Sequence, residues 1–169
     1  MSDVQSEITP FWRFSLHFYK HPGVSDACIA LQDDCGVDVN LLLYLLWLGS
    51  DRRQLTADDV KNLDQKVKNW RDLTIIPIRD IRRKLKGAAT LLDPNKQEAF
   101  RNRVKAVELE AERLQQEALY EFAKSGPLGK EAPAKDAARA NVGAYECAIG
   151  KIFPKQAVEG LMSGFEKAI

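Results

Sequence analysis

The chain has 169 residues, of which 45% are hydrophobic and 29% are charged, and its 25 basic residues almost balance its 24 acidic residues. These proportions are typical of a globular protein that is large enough to fold without disulfides or metals. The net charge of +1 argues against nucleic acid as a partner, because nucleic-acid-binding proteins carry a clear basic excess. The longest apolar run is far shorter than the roughly 20 residues of a membrane span.

The acidic N-terminus, MSDVQSEITPF, lacks the basic region of an export signal, so we expect a cytoplasmic protein. The three cysteines are odd in number and widely spaced. In a reducing cytoplasm they are expected to be buried free thiols: Cys28, Cys35 and Cys147.

The first predicted helix begins at Thr9, whose side chain can cap free amide groups, and at Pro10, which needs no N–H partner in the first turn. Helical spacing gives it two apolar stripes, which predicts contacts with two neighbouring elements. One stripe contains Phe11, Phe14 and Phe18, and the other contains Trp12, Leu16 and Tyr19.

A second helix is predicted from Val24 to Cys35, and the most apolar stretch of the chain follows it, GVDVNLLLYLLWLG. Asp38 is placed to cap the start of this stretch, and Gly49 is placed to end it in a left-handed conformation. A helix that is apolar on every side is normally buried on every side. We therefore predict that residues 38–48 form a central helix, around which the N-terminal half packs.

The next helix is predicted to start at Thr56 and to bury one face, formed by Val60, Leu63, Val67 and Trp70. Pro77 is expected to break or kink the helix that follows. Beyond it, three apolar residues are predicted to face inward: Ile78, Ile81 and Leu85. Four basic residues are predicted to share an adjacent outer face: Arg79, Arg82, Arg83 and Lys86.

A long helix is predicted from Asp93 and Pro94 to about Lys124, with apolar residues at alternating spacings of four and three: Phe100, Val104, Val107, Ala111, Leu114 and Ala118. This pattern suits an intermolecular coiled coil or close packing within one chain. The small alanines favour packing within the chain, although the oligomeric state stays open.

Two further helices are predicted after a linker at residues 125–133, over residues 134–150 and 158–169, and no segment alternates long enough to predict a strand. The sequence therefore predicts an all-α protein, a compact bundle of about seven helices around the buried central helix. We expect an N-terminal unit at residues 9–87 and a C-terminal unit at residues 93–169.

Residues 11–86 contain a characteristic set of segments: PFWRFSLHFY, then GVDVNLLLYLLWLG, then Trp70-Arg71 and Pro77 to Arg82. Together they resemble a family of small uncharacterised proteobacterial proteins, one of the families named as domains of unknown function. The resemblance implies a bacterial, cytoplasmic and mostly helical protein, and it brings no activity. Residues 90–169 correspond to the variable part of the family and are interpreted from the sequence alone.

No spacing of residues indicates a catalytic site, so a non-enzyme is favoured, and we predict no cofactor. His17 and His21 lie one helical turn apart, but a metal would need a third ligand, for which Asp33, Asp34 and Cys35 are the nearest candidates. We predict no metal site, since the loose helix end at His21 and the missing motifs favour two surface histidines.

Asn40 is the polar residue in the apolar stretch, and it must be hydrogen-bonded if it is buried. It is interpreted as tying the preceding loop or the first helix in place, and alternatively as the floor of a ligand pocket. The residues that could line such a pocket are Trp12, Tyr19, Asn40, Tyr44 and Trp47.

The leading functional hypothesis is a non-catalytic cytoplasmic adaptor or regulator that binds another protein. Its partner-binding residues are the densest basic cluster: Arg79, Arg82, Arg83 and Lys86. The alternative is a carrier or sensor of a small apolar ligand, held among the N-terminal aromatic residues.

Overall fold

The structure, a computed structural model, describes residues 8–87 and 91–169 of the chain. In these residues it contains eight α-helices: α1 (Pro10–Phe18), α2 (Val24–Cys35), α3 (Val39–Ser50), α4 (Ala57–Trp70), α5 (Ile76–Lys84), α6 (Pro94–Lys124), α7 (Ala134–Ile149) and α8 (Lys155–Ala168). A π-helical turn, Arg71–Ile75, joins α4 to α5 without a break, so the described residues form seven continuous helical segments. The prediction of an all-α fold is confirmed.

Two short strands, β1 (Arg53–Gln54) and β2 (Lys130–Glu131), pair antiparallel with Arg53 opposite Glu131. A loop and a linker were predicted in these places. Strands of two residues are too short to show the alternation by which strands are predicted.

The chain divides into two compact units, one formed by residues 1–64 and 116–169 and the other by residues 65–115. We call the first the core unit and the second the hairpin. These bounds differ from the division at residues 9–87 and 93–169 that the sequence suggested. The reason is that α6 contributes residues to both units, and the C-terminal helix α7 packs on α3 in the core unit.

The core unit is built around α3, which is buried as predicted, but its main neighbour is α7 from the C-terminal part of the chain and not the N-terminal half. The Asp38 carboxylate caps this helix by accepting hydrogen bonds from the backbone N–H groups of Asn40 at 2.9 Å and Leu41 at 3.2 Å. Its large side chains are buried on all sides of the helix, and the fully buried ones are Leu41, Leu42, Tyr44, Leu45 and Leu46. The predicted start of α1 is also confirmed, because Thr9 Oγ1 accepts from the N–H of Trp12.

Gly49 does not end α3 in a left-handed conformation, and that expectation is wrong. Gly49 lies inside the helix, which continues to Ser50, and the left-handed residue is Arg52, with a φ of 61°. What Gly49 provides is space, because a Cβ atom on it would lie 2.7 Å from the Cα atom of Ala138 in α7. Glycine therefore permits a backbone approach between α3 and α7 that no other residue allows.

Helix α7 holds α3 and the segment after it through one buried amide, Asn141. Its Oδ1 atom accepts from the N–H of Leu55 at 2.7 Å. Its Nδ2 group donates to the carbonyl oxygens of Leu45 and Arg53, both at 2.9 Å. One turn further along α7, Tyr145 Oη accepts from the N–H of Asp38 at 2.9 Å. Neither Asn141 nor Tyr145 is among the residues for which the sequence predicted a role.

Candidate interaction surface

The predicted ligand-binding residues are only partly brought together. Tyr44 and Trp47 stack on each other at 5.7 Å between ring centroids, and each ring also contacts Phe11. Tyr120 of α6 completes this cluster, at 5.6 Å from Trp47. Tyr19, by contrast, is exposed.

Asn40 is buried and hydrogen-bonded. Its Oδ1 atom accepts from Gln116 Nε2 at 2.9 Å, and Gln116 Oε1 accepts from Ser15 Oγ at 2.7 Å. Asn40 is thus linked to the first helix through α6, which supports the interpretation that it holds α1 in place. Near this chain of bonds, the hydroxyl of Tyr44 is buried and has no hydrogen-bond partner among the described residues, and burial raises the pKa of this phenol.

The rings of His17 and His21 meet edge to face at 5.0 Å. In the described residues no group of three or more metal-ligating side chains comes together. Cys28 and Cys35 are buried free thiols, whereas Cys147 is exposed, so the expectation of burial is wrong for Cys147. Burial raises the pKa of the Cys28 thiol to about 12, so it stays protonated and unreactive.

The hairpin consists of two antiparallel arms, residues 65–87 and residues 94–115. Near the open end, Trp70 Nε1 donates to the carbonyl oxygen of Ala111 at 3.0 Å. Near the closed end, Gln97 Nε2 donates to the carbonyl oxygen of Leu85 at 2.7 Å. Residues that come later in the first arm thus meet residues that come earlier in the second.

The π-helical turn explains how the first arm passes Pro77 without the predicted break. Pro77 has no N–H group, and its ring would collide with the carbonyl of Leu73 in a regular α-helix. The turn adds one residue, so that the N–H of Ile76 bonds the carbonyl of Arg71 instead of the next one along. One extra residue rotates everything after it by about 100° around the helix axis.

Because of this rotation, the predicted faces of α5 are wrong at three positions, although Arg83 and Lys86 are exposed as predicted. Ile81, predicted inward, is exposed, while Arg79 and Arg82, predicted outward, face the second arm. Arg79 Nε donates to Glu108 Oε1 at 3.0 Å and its Nη2 donates to Glu112 at 2.8 Å. Arg82 donates to both oxygens of Glu108.

Glu108 is the centre of this ion-pair cluster and is itself buried. Burial alone would raise the pKa of its carboxyl group. Hydrogen bonds from Arg82 and Arg79, together with their charges, outweigh burial and hold the pKa below its usual value. The cluster therefore joins the two arms in a charge-dependent way.

We expect Glu108→Gln to destabilise the protein by about 1–2 kcal/mol at pH 7, because it leaves two part-buried guanidinium groups short of a partner. A carboxyl whose pKa is lowered by folding stabilises above its unfolded pKa and loses that contribution as the pH falls. The free energies of unfolding of the wild type and Glu108→Gln should therefore approach each other as the pH falls below about 4.5, and should meet only below the lowered folded-state pKa of Glu108. Glu121→Gln, at an exposed ion pair, is the control and should change stability little at any pH.

Charge is distributed unevenly between the two units. The hairpin contains 13 lysines and arginines but 7 aspartates and glutamates, a formal charge of +6, so the rest of the chain carries −5. Several of its basic side chains are exposed: Arg83, Lys84, Lys86, Lys96, Arg103 and Lys105. The net charge of the chain is near zero because the acidic remainder offsets the charge of the basic hairpin.

The first arm also exposes large apolar side chains at several positions around the helix. The exposed fractions are 70% for Leu73, 48% for Ile76 and 50% for Ile81. Leu73 lies in the π-helical turn and Ile76 directly follows it. We call these three residues, with Arg83, Lys84 and Lys86, the arm surface.

A model of one protein family matches residues 10–119 of the chain, and the family is described as a protein of unknown function (DUF2390). The chain belongs to this family. Membership in DUF2390 confirms the resemblance to a family of unknown function, and the match extends beyond the residues that carried that resemblance to include the whole hairpin. Neither the search of curated proteins nor the search of solved structures found a match for the chain.

The DUF2390 match ends in α6, so α7 and its contacts with α3 lie outside it. Among the described residues, no helix combines the length and the apolar character that crossing a bilayer requires.

Proposed function

We propose that this DUF2390 protein is a non-catalytic adaptor or regulator that binds an acidic protein through the arm surface. The observation that carries the proposal is that one arm of the hairpin exposes three large apolar side chains, Leu73, Ile76 and Ile81, and several basic ones. Clustered apolar side chains on a surface are typical of protein interaction sites. The adjacent lysines and arginines would speed the encounter with a negatively charged partner and orient it.

A protein partner fits this surface better than nucleic acid does. Phosphate recognition uses basic groups and gains little from exposed isoleucine and leucine side chains. The family resemblance further supports placing this interaction in a bacterial cytoplasm.

The four predicted partner-binding residues divide into two pairs under this proposal. Arg83 and Lys86 are exposed and meet the partner. Arg79 and Arg82 hold the arms together through Glu108 and support the surface from behind. If the charge of Arg79 or Arg82 were reversed, a loss of binding could therefore not be distinguished from a loss of folding.

The test compares two double variants as baits in bacterial lysate. Ile76→Ala with Ile81→Ala removes exposed apolar atoms from the arm surface, and Leu16→Ala with Ile29→Ala removes similarly exposed atoms from the core unit. Both should melt close to the wild type, because exposed substitutions usually cost within about 0.5 kcal/mol. We expect captured proteins, quantified by mass spectrometry, to be lost from the first bait alone.

A second pair of substitutions, Arg83→Glu with Lys86→Glu, should weaken capture most at low salt, where screening is least. Identical capture by all four baits at every salt concentration would contradict the proposal.

The carrier of a small apolar ligand is the second candidate. Its support is the Tyr44 hydroxyl, which is buried without a partner beside Phe11 and Trp47. The adaptor is preferred because these rings already pack against one another, as core residues do.

A further inference from the structure

The second arm carries an apolar stripe that is separate from the arm surface. Phe100, Val107 and Leu114 recur every seven residues on α6, and their exposed fractions are 49%, 52% and 40%. A spacing of seven keeps all three on one side of the helix. We call these residues the α6 stripe.

The α6 stripe lies at the edge of the side that the same helix buries within the hairpin, and that buried side includes polar residues as well as Ala111. Gln97 and Glu108 are buried there, while the larger apolar side chains point outward. A helix normally turns its apolar side to its own core. Polar side chains are thus buried while the larger apolar side chains of the stripe stay about half exposed, which favours a further contact for the stripe.

We propose that the α6 stripe is a dimer interface, on which α6 of a second copy of this chain packs antiparallel with the two-fold axis at Val107. The flanking charges carry this choice. Arg103 precedes Val107 by four residues and Glu110 follows it by three, and both are exposed beside the stripe.

An antiparallel pair brings Arg103 next to the partner's Glu110, and Phe100 next to the partner's Leu114. The two-fold axis repeats each contact, as an isologous interface requires. In a parallel pair, Arg103 of one helix and Glu110 of the other would lie seven residues, or about 10 Å, apart along the axis, so neither ion pair would form. The pattern of charges is thus complementary to itself in one orientation.

The size of the stripe sets the expected strength of the dimer. Phe100 and Leu114 are 14 residues apart, about 21 Å along the helix. A contact between two such helices is smaller than a standard interface of about 1,600 Å², so we expect a dissociation constant on the order of 10–100 µM. The hairpin charge of +6 opposes association at low ionic strength, and screening at about 0.15 M salt reduces this repulsion.

Sedimentation equilibrium of the full chain over a concentration series tests the proposal. The wild type should pass from monomer to dimer, and Val107→Glu should stay monomeric, because it opposes two carboxylates at the axis. Ile29→Glu, at a similarly exposed position on α2, is the control and should dimerise like the wild type.

The orientation is tested by exchanging the charges. Arg103→Glu should weaken the dimer about tenfold, since two ion pairs per dimer become repulsive. Combining it with Glu110→Arg should restore wild-type affinity, because the pairs re-form with reversed sign. A monomer at every concentration, or a dimer that Val107→Glu leaves intact, would overturn the proposal. A monomer whose stripe binds a different protein would overturn it as well.

This interface does not depend on the arm surface or on the proposed adaptor function. The alanine substitutions at Ile76 and Ile81 should leave the sedimentation profile unchanged, so that either proposal can fail alone.

Discussion

Asn141→Leu should destabilise the protein by about 3–5 kcal/mol. Leucine has nearly the shape of asparagine but makes none of its three hydrogen bonds. The substitution strands the N–H of Leu55 in the interior and removes the links to the carbonyls of Leu45 and Arg53. A buried polar group that loses its partner costs roughly 1–3 kcal/mol. Chemical denaturation monitored by circular dichroism measures the loss.

Asn102→Leu is the matched control, because it makes the same change at an exposed position of α6 and should alter stability by less than about 0.5 kcal/mol. Asn141→Asp tests the two hydrogen bonds that Nδ2 donates. It keeps the oxygen that accepts from the N–H of Leu55, but it places a second oxygen against the carbonyls of Leu45 and Arg53. The folded-state pKa of this buried carboxyl should be raised, so stability should fall as the pH rises. Equal stability of Asn141→Leu and the wild type would show that α7 does not brace α3.

Gly49→Ala should cost about 3 kcal/mol or more, although alanine is normally the better residue in a helix. The added Cβ would lie 2.7 Å from the Cα atom and 2.8 Å from the backbone nitrogen of Ala138. Backbone atoms cannot rotate away as a side chain can, so α3 and α7 must separate. Thermal and chemical denaturation should both report the loss.

Gly143→Ala supplies the opposite result from the same type of substitution. Gly143 lies in α7, and a Cβ atom there would have no heavy atom within 4 Å, so this variant should gain about 0.5–1 kcal/mol. Adding Ala138→Gly to Gly49→Ala should rescue stability only in part, because the backbone of residue 138 remains in the way. Full rescue, or no loss in Gly49→Ala, would mean that the two backbones are not in close contact.

The features that the sequence predicted well are those decided by residues near one another in the chain. Thr9 and Asp38 cap their helices through bonds to residues two or three positions away. The apolar stretch of α3 predicts burial from its composition alone. Membership in a family of unknown function was predicted from N-terminal segments, and the match over residues 10–119 confirms it.

The features that it missed depend on distant residues or on a change of helical period. Gly49 and Ala138 are far apart in sequence. From the sequence alone, a glycine that ends a helix cannot be distinguished from a glycine that another helix contacts closely. The π-helical turn shifts the faces of α5, which regular spacing cannot anticipate. As a result, Ile81 is exposed although it was predicted to face inward, and Arg82 faces the second arm although it was predicted to face outward. For α6 the apolar spacing was visible, but which members faced outward was not.

The dependence of α3 on α7 has a consequence for synthesis of the protein on the ribosome. The leucine-rich α3 is made about 90 residues before Ala138 and Asn141 exist. At roughly 5–20 residues per second, this helix would wait about 5–20 s before its main neighbour could dock. During that interval its apolar surface would be open to chaperones and to other nascent chains. Emergence of α7, rather than of the first helices, would then set the moment at which the core closes.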